Sequence, residues 1–138
     1  MSSYREWTEG YPCIIFELPA QATPGDTGTT QIPTAVPFDG FVTRVEIVPR
    51  AAITANATNF AAYTLQDKGV LASGSTAVAS RSWAATNSVA GTKEQATLNA
   101  TPANREVKAG DTLQLVRSIG GTGLATPAMS ILVTIQPR

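Results

Sequence analysis

The sequence predicts an all-β protein, an antiparallel β-sandwich or barrel of about eight short strands. In the strongest apolar segments, large apolar residues alternate with polar ones at a period of two. Turn signals from Gly, Pro and Asp recur roughly every ten residues, as in all-β domains. No segment shows the apolar spacing of three to four residues that an amphipathic helix requires. The length of 138 residues suits one domain.

The first predicted strand is the apolar run Cys13–Leu18, which stops at Pro19. Residues 20–33 are small, polar and interrupted by glycine and proline, so we predict a loop or flexible linker there. Residues 34–36 form a possible short strand before Pro37.

The clearest strand is predicted at residues 41–48, between the Asp39-Gly40 turn and Pro49. Strict alternation divides it into two faces. One face carries Phe41, Thr43, Val45 and Ile47, and the other carries Val42, Arg44, Glu46 and Val48.

Five further strands are predicted along the rest of the chain. We place them at residues 60–66, 76–83, 95–100, 112–116 and 129–136. In the strand 76–83 we expect Arg81 to face solvent. The Gly-rich stretch 120–123 is interpreted as a turn, because a dinucleotide fingerprint would need a helix after it and Pro127 follows instead.

Composition argues against an enzyme. The chain contains no histidine, which excludes Ser-His-Asp and Cys-His relays and imidazole metal ligands. Its single cysteine, Cys13, allows neither an intrachain disulfide nor a cysteine zinc site. We therefore expect no catalytic residue, no cofactor and no metal. The runner-up of this kind, a small glycan hydrolase with carboxylates from distant strands, stays open at this stage.

The charge pattern excludes other partners. Ten basic and ten acidic residues give a formal net charge of zero, so we expect no nucleic-acid binding. The first nine residues lack a secretory pattern, and no later segment reaches the length of a membrane-spanning helix. We expect a protein made in a cytoplasm that binds no membrane.

The predicted core is lean. Ala, Thr, Ser and Gly make up 60 of the 138 residues, whereas Val, Ile, Leu and Phe make up 30. Each fully buried large aliphatic side chain contributes about 1.5–3 kcal/mol, and alanine contributes much less. Association with other subunits would bury additional surface, so we predict an oligomer; a small stable monomer is the alternative.

Candidate partner-binding residues fall into two groups. Tyr4, Trp7 and Tyr11 concentrate aromatic side chains at the amino-terminal end. Arg44 and Glu46 stand two apart on one face of the strand 41–48, a face that is either solvated or an interface. Trp7 and Trp83 are either core residues or, if exposed, interface anchors or sugar-stacking platforms.

An ordered series of short motifs resembles capsid decoration proteins of tailed bacteriophages, also known as head-fibre or cement proteins. The series begins with Ala-Val-Pro-Phe-Asp-Gly-Phe-Val-Thr-Arg-Val-Glu-Ile-Val-Pro at 35–49 and continues with Tyr-Thr-Leu at 63–65 and Lys-Gly at 68–69. Later members are Ala-Val-Ala-Ser-Arg at 77–81, Ala-Thr-Leu at 96–98, Val-Lys-Ala-Gly-Asp-Thr-Leu at 107–113 and Gly-Thr-Gly-Leu at 121–124.

This resemblance implies a jelly-roll-like β-sandwich that sits on the outside of a phage head. It implies a homotrimer that binds the major capsid protein and cements neighbouring shell subunits, with no catalytic residues. The resemblance covers roughly residues 35–136, so we divide the chain into a sandwich domain, 35–138, and an amino-terminal arm, 1–34. The arm could supply the strand Cys13–Leu18 to a sheet. The alternative function is a receptor- or carbohydrate-binding β-sandwich of a phage fibre.

Overall fold

The computed structural model describes residues 11–32 and 35–138. They contain ten β-strands and one 3-10 turn, Pro102–Arg105. The strands are β1 (Cys13–Leu18), β2 (Gly28–Gln31), β3 (Gly40–Pro49), β4 (Phe60–Gly69), β5 (Thr76–Ser82), β6 (Glu94–Gln95), β7 (Thr97–Leu98), β8 (Glu106–Val107), β9 (Thr112–Gly120) and β10 (Met129–Pro137).

The strands form two antiparallel sheets. Sheet 1 has the order β1-β10-β3-β6, with β8 also paired to β3, and sheet 2 has the order β2-β9-β4-β5-β7. Strand β1 pairs with β10, β2 with β9, β3 with β6 and β8, and β4 with β5. This is the pairing of one long hairpin wound into two sheets, which is the jelly-roll arrangement. The predicted antiparallel, jelly-roll-like sandwich is confirmed.

The core lies between the sheets. Each sheet contributes alternate side chains that are nearly inaccessible to solvent, as a sandwich requires. Sheet 1 supplies mainly aliphatic residues, such as Leu18, Ile47 and Ile131. Sheet 2 adds Tyr63 of β4, and the loop after β5 adds Trp83; their rings meet edge to face with centroids 6.0 Å apart.

A β-bulge in β3 breaks the alternation predicted for residues 41–48. Thr134 pairs with Arg44 but Ile135 pairs with Val42, so Thr43 is the extra residue. The bulge turns Val42 toward the core, where it is 1% exposed beside Val45 at 2%. The prediction that Val42 shares a face with Arg44 was therefore wrong.

Two other local predictions also need correction. Residues 28–31 lie in the predicted linker but form β2, which pairs with β9. The predicted strand 95–100 is divided into β6 and β7, which belong to different sheets. The chain crosses between the sheets at Ala96, whose N–H donates to the carbonyl of Val45 at 2.8 Å.

The amino-terminal part of the chain contributes to both sheets. Cys13–Leu18 forms β1, the edge strand of sheet 1, as the sequence allowed. Val36 bonds the backbone of Asp111 and Gly110 without joining a named strand. Residues 1–10, which hold Tyr4 and Trp7 of the predicted arm, lie outside the described residues.

Candidate functional site

The outer face of sheet 1 is the face of that sheet turned away from the core. Because β1, β10 and β3 alternate in register, every second side chain points outward from it. In the central part of the face they are Cys13, Ile15 and Glu17 of β1, Ser130, Leu132 and Thr134 of β10, and Arg44, Glu46 and Val48 of β3.

An apolar patch runs across this outer face. Ile15 is 63% exposed and pairs with Leu132, which in turn pairs with Glu46. Leu132 and Val48 are half-buried. An outward sheet face in contact with water normally carries polar residues, so a large exposed aliphatic side chain here indicates a contact surface.

Charged side chains surround the patch. The Glu46 side chain is only 12% exposed, and its carboxylate lies 3.4 Å from the Nζ of Lys93. Glu17 accepts hydrogen bonds from Arg50 at 2.6 Å and from the Ser130 hydroxyl at 2.9 Å. Arg44 lies opposite Thr134 at the bulge. Arg44 and Glu46 thus share the predicted outer face, but Glu46 is not solvated there.

The Cys13 thiol sits at the edge of the same face and is half-buried. Burial raises the pKa of the thiol, and the nearby Glu46 carboxylate raises it further. A thiol held in its protonated form is a poor nucleophile. The side chain acts as a small apolar group beside Thr134.

Of the predicted aromatic group, Tyr11 is half-buried just before β1. Tyr4 and Trp7 lie outside the described residues. Trp83 is 0% exposed, which identifies it as a core residue and removes it as a sugar platform.

A largely buried ion pair lies beside Trp83, where the prediction for Arg81 was wrong. The Arg81 Nε donates to Glu94 at 2.8 Å, and the two side chains are 12% and 17% exposed. The guanidinium also covers the Trp83 ring at 4.8 Å and donates to the Ser88 hydroxyl at 3.1 Å. A register shift in the β4–β5 pair leaves Val78 as an extra residue, so the consecutive residues Val78 and Ala79 are both buried. Arg81, two residues after Ala79, therefore lies on the inner face instead of the outer one.

A polar groove of about 640 Å³ opens next to this pair. Hydroxyl and amide side chains dominate its wall, with Val89 as an exposed apolar member. The polar side chains are those of Ser80, Arg81, Ser82, Thr86, Asn87, Thr92, Glu94, Gln95 and Thr97. No aromatic side chain of the described residues lines it.

Two carboxyl groups meet at one end of the sandwich. Burial, followed by a hydrogen bond to Asp111, raises the pKa of Asp67 to about 6. Each carboxylate also accepts a backbone N–H, Asp67 from Gly69 and Asp111 from Lys108, both at 2.9 Å. These bonds give both groups a role in shaping turns. Within residues 11–32 and 35–138, no cluster of three or more potential metal ligands occurs.

Sequence reasoning missed Arg117, which is 4% exposed. In β9 it lies on the same face as the buried Leu113 and Leu115, and its side chain therefore points between the sheets. That phase relationship was the available signal: a charged residue in step with inward apolar positions.

In the part of the chain described, no helix has the length and apolarity needed to cross a bilayer.

Comparisons with known proteins add little. No protein-family model and no curated protein matches the chain. A chain from a structure of infectious bursal disease virus, Gx strain, aligns with 89% of this chain at 19% identity and a TM-score of 0.33. The aligned region covers 32% of that viral chain, so this protein spans about a third of its length. At this TM-score the likeness carries no argument, and the jelly-roll class rests on the strand pairing alone.

Proposed function

We propose that the protein is a structural component of a tailed-bacteriophage virion. In this proposal it is made in the host cytoplasm, assembles on the outside of the capsid and binds across the boundaries of shell subunits. It performs no catalysis. Jelly-roll domains are widespread in viral capsids, although they also occur in lectins, so the fold permits this role without assigning it.

The observation that carries the proposal is the apolar patch on the outer face of sheet 1. Ile15 is 63% exposed there, next to the half-buried Leu132 and Val48. An apolar centre with a charged rim is the usual composition of a protein–protein interface. Glu17, Arg50 and Lys93 supply that rim.

The edge of β1 extends the same surface. The carbonyl of Pro12 accepts a hydrogen bond from the N–H of Ile135. The residues whose backbone groups bond to β10 are therefore Pro12 and every second residue after it. The backbone groups of Cys13, Ile15 and Glu17 therefore point to the open edge of the sheet. An extended segment of a neighbouring subunit could pair there while its side chains cover the patch.

We further propose that the partners are the major capsid protein and two more copies of this chain, in a homotrimer. Each contact is small, but three copies on a symmetric shell bind together, and multivalency raises the overall affinity. Arg44, Glu46 and Tyr11, together with Tyr4 and Trp7, are the proposed contact residues.

The test compares two charge insertions at exposed aliphatic residues. Ile15→Glu alters the patch, whereas Leu71→Glu alters a residue that is 86% exposed in the β4–β5 loop. Both variants should remain folded. We expect Ile15→Glu to weaken co-sedimentation with shells of the phage that encodes the protein by at least about tenfold, the effect of 1.4 kcal/mol. Equal binding of both variants, or a wild-type chain that ignores shells, would refute the proposal.

The polar groove beside Arg81 supports a second candidate, a carbohydrate-binding role in a phage fibre. Its hydroxyl and amide groups suit sugar hydroxyls. A glycan array with the wild type and with Asn87→Ala would test it. Glycan binding that the substitution abolishes would support a lectin, and an array without signal would exclude this candidate.

A further inference from the structure

Arg117 occupies an unusual place for an arginine, on the inner face of sheet 2. In the sheet it lies between Gly28 of β2 and Tyr63 of β4, both of which it pairs with directly. Its side chain is enclosed, with 4% of the residue exposed. A buried arginine is always charged, so its surroundings must compensate the charge.

The compensation given to Arg117 is incomplete. Its Nη1 donates to the carbonyls of Pro24, at 3.3 Å, and of Asp26, and its Nη2 donates to the carbonyl of Leu124. The buried Nε has no hydrogen-bond partner. Among the described residues, no carboxylate forms an ion pair with this guanidinium.

Arg81 shows how the same fold neutralises an arginine when its own residues suffice. That guanidinium is less enclosed than Arg117 and still lies beside a carboxylate, that of Glu94, at 2.8 Å. Arg117 has only carbonyl dipoles, which carry no net negative charge. An unneutralised buried cation favours the entry of an anion, because the attraction between the two charges is little screened inside a protein.

A cavity lies next to Arg117 and is large enough for one. Its volume is about 110 Å³, and its walls are formed by Gln21, Thr27, Gly28, Thr30, Tyr63 and Arg117. A water molecule takes up about 30 Å³, so the cavity accepts a few waters or one small oxyanion. The lining residues include hydroxyl and amide groups that can donate hydrogen bonds to the oxygen atoms of such an ion.

We propose that this cavity is a binding site for one small oxyanion, with the Arg117 guanidinium as its main ligand. The guanidinium attracts the ion through its uncompensated charge, and the threonine hydroxyls and the Gln21 amide donate hydrogen bonds to its oxygen atoms. The ion supplies the missing negative charge and also ties β2 to β9 and β4. Either a carboxylate or a tetrahedral anion such as phosphate meets these requirements.

The experiment follows thermal unfolding of the full chain while acetate, sulfate or phosphate replaces chloride at constant ionic strength. We expect at least one oxyanion to raise the midpoint by about 3 °C or more between 1 and 50 mM, with the logarithmic dependence of specific binding. Stabilisation by acetate alone identifies a carboxylate site. Stabilisation by sulfate and phosphate identifies a site for tetrahedral anions.

Variants separate binding from general salt effects, since sulfate stabilises most proteins. Arg117→Met would remove the ligand, but it would also leave three carbonyls without a donor and so destabilise the fold. The primary variant is therefore Gly28→Val. A Cβ at Gly28 meets no atom within 4 Å, so the valine side chain enters the cavity without disturbing the backbone. The matched control is Ser118→Val, an exposed residue on the same β9 strand.

We expect Gly28→Val to lose the oxyanion-specific shift and Ser118→Val to keep it. Equal shifts in the wild type and both variants would overturn the proposal, because the effect would then be a property of the solvent. A wild type that no oxyanion stabilises beyond chloride would overturn it as well, and the cavity would hold water only.

Discussion

The Trp83 indole N–H donates to the Ser88 hydroxyl at 2.7 Å, and the same hydroxyl accepts from the Arg81 guanidinium at 3.1 Å. One buried oxygen thus joins the largest core side chain to the buried Arg81–Glu94 ion pair. The loop after β5 is fixed to the core through this oxygen, since Ser88 also pairs through its backbone with Ile53. The loop residues that line the polar groove, such as Thr86 and Asn87, are therefore anchored close to the core.

The first prediction concerns that ion pair. Glu94→Gln should lower the free energy of unfolding by about 3 kcal/mol, because it leaves the enclosed Arg81 charge without its partner. Glu17→Gln is the matched control, since the Arg50–Glu17 side chains are 56% and 60% exposed. It should cost less than about 1 kcal/mol. Urea unfolding measures both, and equal losses would contradict the assignment of a buried pair.

The second prediction concerns Gly40. A Cβ at this position would lie 2.3 Å from the carbonyl oxygen of Gln136 and 2.9 Å from a methyl group of Ile135. Gly40→Ala should therefore destabilise the protein by about 1–3 kcal/mol. Gly28→Ala, where no atom lies within 4 Å, should leave stability unchanged or raise it by up to about 1 kcal/mol. Unfolding titrations that rank the two variants in the opposite order would refute this account.

The third prediction concerns pH. The folded-state pKa of Asp67 is raised from 3.8 to about 6, so its neutral form favours folding. That contribution is complete below pH 3.8 and is lost as the pH rises through 6. Asp67→Asn stays neutral at every pH and keeps the Oδ1 that accepts from Gly69.

We therefore expect the midpoint of Asp67→Asn, relative to that of the wild type, to rise by a few degrees between pH 3.5 and pH 7.5. Thermal unfolding at both values measures the change. A difference that is constant with pH would show that the carboxyl group is not perturbed by Asp111 and by burial.

The sequence predicted the layers of the fold well where alternation is regular. In β10, Ile131, Val133 and Ile135 point inward as a period of two requires. Prediction failed where the backbone breaks the period. The bulge at Thr43 and the register shift after Leu65 are set by pairing between distant strands, which no local pattern reveals.

Glycine and arginine show the same limit. Gly40 was predicted as a flexible turn residue, but it begins β3 and is required because Gln136 approaches it closely. Arg81 and Arg117 were missed as interior residues because charge usually marks the surface. Only the position of Arg117 in phase with Leu113 and Leu115 could have identified it. The partner of a buried charge depends on tertiary contacts and lies beyond local sequence.

The pairing of β1 with β10 has a consequence for synthesis. Phe16 is matched with Ile131, and β10 is also the central neighbour of β3. A nascent chain still held in the ribosome before Met129 has emerged cannot close sheet 1, whatever has happened in sheet 2. Its apolar β1 stays unpaired until β10 has left the ribosome, so chaperones would meet the unfinished polypeptide at Ile14–Leu18.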